Sequence, residues 1–238
     1  MLGKLNRDFA TQNGRNHHAR RRRSALCAGA KMTKINSRVK LGIPLPLFTE
    51  EQIKAEPLFF ESSGAFAYEK GGIITRAFFD AVAKTRDFAN CVVDTRAHKL
   101  EPGQYPALPG YHHDEIARED FKLKGKGRGL EGYHVLGMIN GQICPTRFAL
   151  GKCEMPKLVP GSSWNPVINQ LVAEGSLKLW EAPTNFLVWY HWQTFHEAQA
   201  AKAPGWRWFA RVYFDTKTSP KNEIRSHYGV FIKTVVQS

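Results

Sequence analysis

Short apolar segments rich in aromatic residues follow one another from residue 91 onward, and they restrict the fold more than any other feature of this chain. Gly, Pro and Asn residues separate the segments, which include CVVDTRAHKL, SLKLW, NFLVWYHWQTF, WRWFARVYF and HYGVFIKTVV. β-Branched and aromatic residues favour strands. Many short strands with tight connections predict an antiparallel sandwich or barrel. We therefore expect a mainly β protein with flanking helices.

One pair of these strands carries a turn signal between them. Asn140-Gly141 separates the apolar segments GYHVLGMI and QICPTRFAL. Asn-Gly is typical of two-residue hairpin turns because both residues tolerate a positive φ. The sequence therefore predicts that these two segments pair with each other as a hairpin.

Three segments carry helix signals. The first has the residue spacing of a capping box, the second an apolar stripe of helical period, and the third an Asn-Pro start with a glycine after its end. The predicted helices and their N-caps are 50–56 after Thr49, 76–88 after Thr75, and 166–174 after Asn165.

Positive charge is concentrated at the start of the chain. The net charge is +13, and residues 1–31 hold eight basic residues and one acidic residue, with Arg20, Arg21, Arg22 and Arg23 in a run. A cationic arm of this kind can bind nucleic-acid phosphates. A solvated, disordered tail is the interpretation that we favour, and Met32 resembles a start that would make residues 1–31 an upstream extension. We expect one domain at 32–238, with a flexible basic loop at 122–129.

No apolar run in the sequence approaches the ~20 residues needed to span a bilayer. The basic start is not followed by the apolar stretch of a secretory signal. The four cysteines, Cys27, Cys91, Cys144 and Cys153, form no C-x-x-C pair. We therefore expect a cytoplasmic protein with reduced, mostly buried thiols and no membrane partner; a phage or viral origin stays open.

The segment PGYHHDE at 109–115 suggests one half of a metal site. In a strand, residues i and i+2 point to the same face, so His112 and Asp114 would project together. His113 and Glu115 would form a second pair on the opposite face. An imidazole and a carboxylate, joined by a second imidazole, make the 2-His-1-carboxylate triad that leaves metal positions open.

The third ligand should be a histidine far along the chain, near a strand start. Among His98, His134, His191, His196 and His227, the best placed is His196, which follows an aromatic strand. The next strand carries Arg207 and Arg211, four residues apart and so on one face, with Trp206, Trp208 and Ala210 on the other.

This order of residues resembles the Fe(II)/2-oxoglutarate-dependent dioxygenases over residues 91–214. The resemblance implies a double-stranded β-helix (a jelly-roll or cupin-like barrel), an Fe(II) ion held by His112, Asp114 and His196, and 2-oxoglutarate as cosubstrate. In that family an arginine binds the far carboxylate of 2-oxoglutarate; Arg207 has the matching spacing and Arg211 is the alternative.

The segment EPGQYPALPGYHHD is similar to the lead-in of the prolyl-hydroxylase-like branch, where a tyrosine contacts the cosubstrate. Tyr105 would be that residue. This chain departs from the branch by a longer stretch between Gly103 and His112. A long segment between Asp114 and His196 implies an insertion into the barrel.

The resulting hypothesis is an oxidoreductase that hydroxylates an unidentified small molecule or peptide side chain. Four tryptophans, Trp180, Trp189, Trp192 and Trp206, would wall its pocket or pack in the core. One alternative is a non-enzymatic viral or phage jelly-roll structural protein whose basic arm binds nucleic acid. Another is a cupin-like metal protein or hydrolase that does not use 2-oxoglutarate.

Overall fold

The computed structural model describes residues 32–114, 133–156, 158, 162–214, 216, 218–226 and 229–232. The predicted arm at 1–31, the basic loop at 122–129, and Cys27, Glu115 and His227 lie outside the described residues, so what was predicted for them stays a prediction. None of the described helices has both the length and the apolarity to cross a membrane.

The described chain is mainly β, as expected, with four α-helices. In chain order the elements are β1 Met32–Ser37, β2 Val39–Pro44, α1 Glu50–Ala55, β3 Leu58–Phe60, β4 Ser62–Ser63, α2 Gly64–Lys70, α3 Ile73–Ala83, β5 Cys91–Leu100, β6 Gln104–Tyr105, β7 Tyr133–Ile139, β8 Thr146–Pro156, α4 Asn165–Ala173, β9 Lys178–Glu181, β10 Phe186–His191, β11 Phe195–Ala198, β12 Gly205–Phe214, β13 Glu223–Arg225 and β14 Phe231–Ile232.

Two antiparallel sheets hold most of these strands. The larger has six strands in the order β2-β10-β7-β12-β5-β4, and the smaller has β1-β8-β11 with β9 also on β8. Two further pairs, β13 with β3 and β14 with β6, stand apart. Within the described residues no sheet closes into a barrel.

The two faces of the six-stranded sheet pack against different parts of the protein, because successive side chains of a strand point to opposite faces. One face packs against α1, α2 and α3 and contributes Val135, Trp208 and Val212 to the main apolar core. The other face contributes Leu136, Val188 and Tyr190 to a second cluster, which also contains Phe148 of β8. The two sheets therefore face each other across this second cluster.

The Asn140-Gly141 hairpin prediction is wrong. β7 pairs with β10 and β12 of the larger sheet, whereas β8 pairs with β1, β9 and β11 of the smaller. Asn140 does adopt a left-handed φ of 54°, but a short 3-10 helix at Gly141–Ile143 follows it. The Asn140 side chain donates to the Trp206 carbonyl and so ties the turn to β12. Beyond this turn the chain leaves the larger sheet and enters the smaller one.

The start of a helix is predicted correctly where its N-cap is a side chain directly before the helix. Thr49 and Gln52 form both hydrogen bonds of the predicted capping box at the start of α1. α4 begins one residue early, with Trp164 at the N-cap, because the Asn165 side chain is engaged by the Tyr111 backbone N–H at 2.8 Å.

The prediction for α3 is wrong at both ends, by three residues at its start and by five at its end. Thr75 does not cap the helix but lies buried inside it. The cap comes instead from Glu56, a buried carboxylate whose Oε2 and Oε1 accept from the N–H groups of Ile74 and Thr75 at 3.1 and 2.8 Å. A distant carboxylate thus satisfies the orphan N–H groups that a local side chain usually satisfies.

The Glu56 cap leads to a stability prediction. Replacing Glu56 by Ala leaves two buried N–H groups unpaired, so the free energy of unfolding should fall by about 1–3 kcal/mol. The matched change Glu101→Ala, at an exposed site, should alter it by less than about 0.5 kcal/mol. Urea unfolding followed by circular dichroism measures both; equal losses in the two variants would contradict the cap.

Candidate metal centre

Backbone pairing holds the two candidate histidine ligands side by side. His112 and His196 form an antiparallel bridge, with N–H···O distances of 3.0 and 3.2 Å in the two directions. Their ring centroids are 4.4 Å apart. The bridge fixes the relative position of two residues from distant parts of the chain before any ion binds.

Asp114 completes a cluster of three donor groups. One ligand atom each from His112, Asp114 and His196 lies within 4.8 Å of the other two. Nε2 of His196 is 3.3 Å from Oδ2 of Asp114. Two ligands about 2.1 Å from one ion are about 3 Å apart when they occupy neighbouring positions. The cluster therefore has the size of a mononuclear site.

Backbone carbonyls orient both imidazoles. Nδ1 of His112 lies 2.9 Å from the Gly110 carbonyl, and Nδ1 of His196 lies 3.2 Å from the Thr194 carbonyl. Because a carbonyl oxygen only accepts, each Nδ1 carries the proton and donates. Each Nε2 then keeps its lone pair for a metal, which is the second-shell arrangement typical of histidine ligands.

Asp114 is buried and surrounded by donors. The Tyr190 hydroxyl donates to Oδ2 at 2.8 Å, and the Arg211 guanidinium donates to Oδ1. Burial raises the pKa of the Asp114 carboxyl, but Arg211 and His196 outweigh it and hold that pKa well below its usual range. The carboxylate is therefore ionised at neutral pH, as a metal ligand must be.

Arg211, the alternative cosubstrate anchor, bridges two buried carboxylates in this structure. Besides Asp114 it contacts Oδ2 of Asp94 at 3.3 Å. Asp94 also accepts from the Tyr213 hydroxyl at 3.2 Å and from the Glu61 backbone N–H at 2.8 Å. The arginine thus neutralises Asp114 from one side and is itself fixed by Asp94.

Arg207 lies in a different environment. Its side chain is only 3% exposed, and its contacts are the Met138 sulfur at 3.1 Å and the Thr146 hydroxyl at 3.4 Å. Among the described residues, its Nε has no hydrogen-bond partner and no carboxylate pairs with it. Burial lowers the pKa of Arg207, yet a guanidinium stays charged. A buried cation with no counter-charge in the described part of the chain is a ready position for an anionic ligand.

The remaining predicted residues are dispersed. Tyr105 lies in β6 opposite Phe231, and no hydrogen bond or ring contact among the described residues joins it to the cluster. The four tryptophans do not form one wall. Trp189 and Trp206 pack in the core beneath the helices, Trp192 packs near α4, and Trp180 contacts Phe148 at 5.8 Å.

His113, the neighbour of the candidate ligands, packs among aromatic side chains. Its ring is buried against Phe195 at 3.8 Å and Trp164 at 6.2 Å between centroids. Of the three cysteines in the described chain, Cys91 and Cys144 are buried and Cys153 is half-buried; all three are free thiols.

Sequence reasoning missed Tyr190, which donates a hydrogen bond to Asp114, and Asp94, which pairs with Arg211. A signal for Asp94 was available: it is one acidic residue within the apolar strand CVVDTRAHKL, and a buried charge needs a partner. No comparable signal marks Tyr190, because a tyrosine in an aromatic strand is ordinary core packing.

Comparison with known proteins adds little. No protein-family model matches this chain, and no curated protein matches it. Among solved structures there is a weak similarity to a protein described as a non-heme monooxygenase, the ThoJ–nickel complex. The two are 13% identical with a TM-score of 0.31, over 72% of this chain and 78% of the other. A similarity this distant establishes neither family nor chemistry.

Removing Arg211 should be costly even without metal. Arg211→Met leaves Asp94 and Asp114 buried without their shared counter-charge, so the free energy of unfolding should fall by about 3–5 kcal/mol. Arg147→Met, which breaks a partly exposed pair with Glu181, should cost under about 1 kcal/mol. Urea unfolding of both variants at pH 7 gives the comparison, and similar losses would show that the Arg211 bridge is not special.

The buried histidines predict a pH dependence of stability. Burial lowers the pKa of His98, His112 and His134 to about 4, against about 6.5 when unfolded. The unfolded chain therefore binds more protons below about pH 6.5, and the stability of the metal-free protein should fall as the pH drops towards 4. In His134→Phe, the number of protons taken up on unfolding at pH 5.5 should fall by about one, so the free energy of unfolding should depend less steeply on pH. Urea midpoints measured from pH 7 to 5 test this. An unchanged pH dependence would contradict the prediction.

Proposed function

We propose that this protein is an Fe(II)- and 2-oxoglutarate-dependent oxygenase that hydroxylates a small molecule or a peptide side chain. The observation that carries the proposal is the convergence of His112, Asp114 and His196 within 4.8 Å. Two neutral imidazoles and one carboxylate are the donor set of non-haem Fe(II) oxygenases, which keep open positions for cosubstrate and oxygen.

The donor set fits an Fe(II) ion in charge as well as in spacing. Both Nε2 atoms are available because the Nδ1 atoms donate to carbonyls. Asp114 is ionised, and Arg211 occupies its Oδ1 while Tyr190 donates to Oδ2. Arg211 therefore favours binding of the ion through one carboxylate oxygen only, which leaves more positions open than a bidentate carboxylate would.

Arg207 is the group that would bind the far carboxylate of 2-oxoglutarate. It lies four residues before Arg211 on β12, so both side chains project from the same face, about 13 Å apart along the strand. Its burial without a described acidic partner leaves a charge that an anionic ligand would compensate through a strong, charge-assisted pair. The Thr146 hydroxyl beside it offers a further hydrogen bond.

The ion and 2-oxoglutarate together supply the oxidising chemistry when bound, and the chain's own residues bind, orient and exclude water. His112 and His196 are fixed by their backbone bridge, and Asp114 by Tyr190 and Arg211. Phe148 and Tyr190 border His196 at 5.7 and 5.3 Å between ring centroids. These rings shield the cluster from bulk water, which strengthens its electrostatic interactions.

A double-stranded β-helix is the architecture that we propose for this site. Two antiparallel sheets face each other, and β12 of the larger sheet carries Arg207 while β11 of the smaller carries His196. The primary substrate and any nucleic-acid binding by Arg20, Arg21, Arg22 and Arg23 remain separate proposals, since those arginines lie outside the described residues.

Binding of metal and cosubstrate tests the proposal. Under anaerobic conditions, wild-type protein with Fe(II) and 2-oxoglutarate should develop a weak visible band from the chelated keto acid. His196→Ala should weaken Fe(II) binding, measured by calorimetry, by at least about 100-fold. Arg207→Met should weaken 2-oxoglutarate binding at least about tenfold, the loss of one charge-assisted pair, while Fe(II) binding is retained.

Arg147→Met is the matched control, because it removes an arginine that pairs with the partly exposed Glu181. Its Fe(II) and 2-oxoglutarate affinities should equal those of the wild type. Absence of the band in wild-type protein would reject the dioxygenase hypothesis. Normal 2-oxoglutarate binding by Arg207→Met would reject Arg207 as the anchor while leaving the metal site intact.

A further inference from the structure

A cavity of about 450 Å³ lies at the end of the six-stranded sheet, and His112, Asp114 and His196 are not among its described lining residues. Residues from the start of β2, the start of β7, the end of β10 and the segment after α3 line it. Its floor includes Trp189, which packs in the core beneath the helices, whereas the Tyr190 hydroxyl reaches Asp114 in the opposite direction. Tyr190 also borders the cavity, so the cavity and the cluster meet at this residue, while Trp189 and His191 alternate with it along β10 and project from its other face.

The charge of this cavity has one sign. Arg38, Lys40 and Arg86 line it, and none of its described lining residues is acidic. Lys40 lies directly opposite Trp189 in the β2–β10 register, so its side chain shares the face of the tryptophan. Three cations around one concave surface repel each other, and a ligand with two negative charges would relieve that repulsion.

Aromatic contacts orient two of these cations. The Arg86 guanidinium lies 4.5 Å from the centroid of the Phe214 ring, which itself stacks on Trp189 at 5.6 Å and 21°. Arg38 donates from Nη2 to the Tyr133 hydroxyl at 3.2 Å. A guanidinium held in place loses less entropy when it binds a phosphate, which it can do with two parallel hydrogen bonds.

The same cavity offers a partly exposed aromatic surface. Tyr133 is 37% exposed, and its ring contacts the His191 ring at 5.7 Å between centroids. Rings of this kind stack on nucleobases without strong preference for one base. The volume is also in the range of small-ligand pockets.

We infer that this cavity binds a nucleoside phosphate, either a free nucleotide or the phosphorylated end of a single strand. Arg38, Lys40 and Arg86 hold the phosphate, and Tyr133 with His191 contacts the base. The inference is independent of the proposed oxygenase function, since none of the candidate metal ligands is among the described residues that line the cavity.

Binding of AMP, ADP, inorganic pyrophosphate and a 5′-phosphorylated dinucleotide to the full-length chain tests this inference by calorimetry at low salt. Wild-type protein should bind the nucleotides, and the affinity should fall as salt is added. The double variant Arg38→Glu/Lys40→Glu should weaken binding at least about tenfold. The charge-matched control Lys99→Glu/Lys178→Glu, at exposed strand positions, should bind like the wild type.

The aromatic contribution needs its own pair of variants. Tyr133→Ala should reduce AMP affinity several-fold, whereas Tyr133→Phe, which keeps the ring but removes the hydroxyl that orients Arg38, should reduce it less. His196→Ala should bind AMP normally, which separates this cavity from the metal cluster. Comparison of AMP with the dinucleotide tells a free nucleotide from a strand end.

The inference would be overturned if wild-type protein bound no nucleotide at millimolar concentration, or if the two charge-reversal variants lost equal affinity. It would also be overturned if pyrophosphate bound as tightly as ADP and Tyr133→Ala had no effect. Thermal melting of each variant confirms that a loss of binding is not a loss of folding.

Discussion

Asp114 is a buried carboxylate, and the candidate site depends on its remaining charged. A lone ionised carboxylate is too costly to bury, so the surrounding structure must supply compensation. Arg211 supplies the opposite charge, Tyr190 a hydrogen bond, and His196 a nearby imidazole. Arg211 in turn is positioned by Asp94. The charge at the centre is therefore balanced by a chain of groups that spans four strands, β5, β10, β11 and β12, and the loop carrying Asp114.

Strand β12 connects these interactions to the rest of the fold. Its apolar side chains Trp208 and Val212 belong to the core under the helices, while Arg207 and Arg211 project from the other face. Packing of the helices thus fixes the strand that presents both arginines. A loss of packing on one face would displace charged groups on the other, since both sets of side chains share one backbone.

The same alternation gives β10 two separate roles. Tyr190 supports the carboxylate on the inner face, and Trp189 forms part of a cationic cavity on the outer face. A candidate metal cluster with one carboxylate and a cavity lined by cations can therefore lie on one sheet, with Tyr190 as the residue that borders both. Rigid strands suit both, because sites on regular elements hold their geometry better than sites on loops.

Local patterns in the sequence determined the mainly β character, the capping box at Thr49 and the His112-x-Asp114 pair, because each depends on residues only a few positions apart. The tertiary structure decided that β7 and β8 belong to different sheets, that Glu56 caps α3, and that Arg211 pairs with Asp114 across 97 residues of sequence. Periodicity fixes the face to which a side chain points, whereas strand pairing and packing of the whole chain fix the group that it meets there.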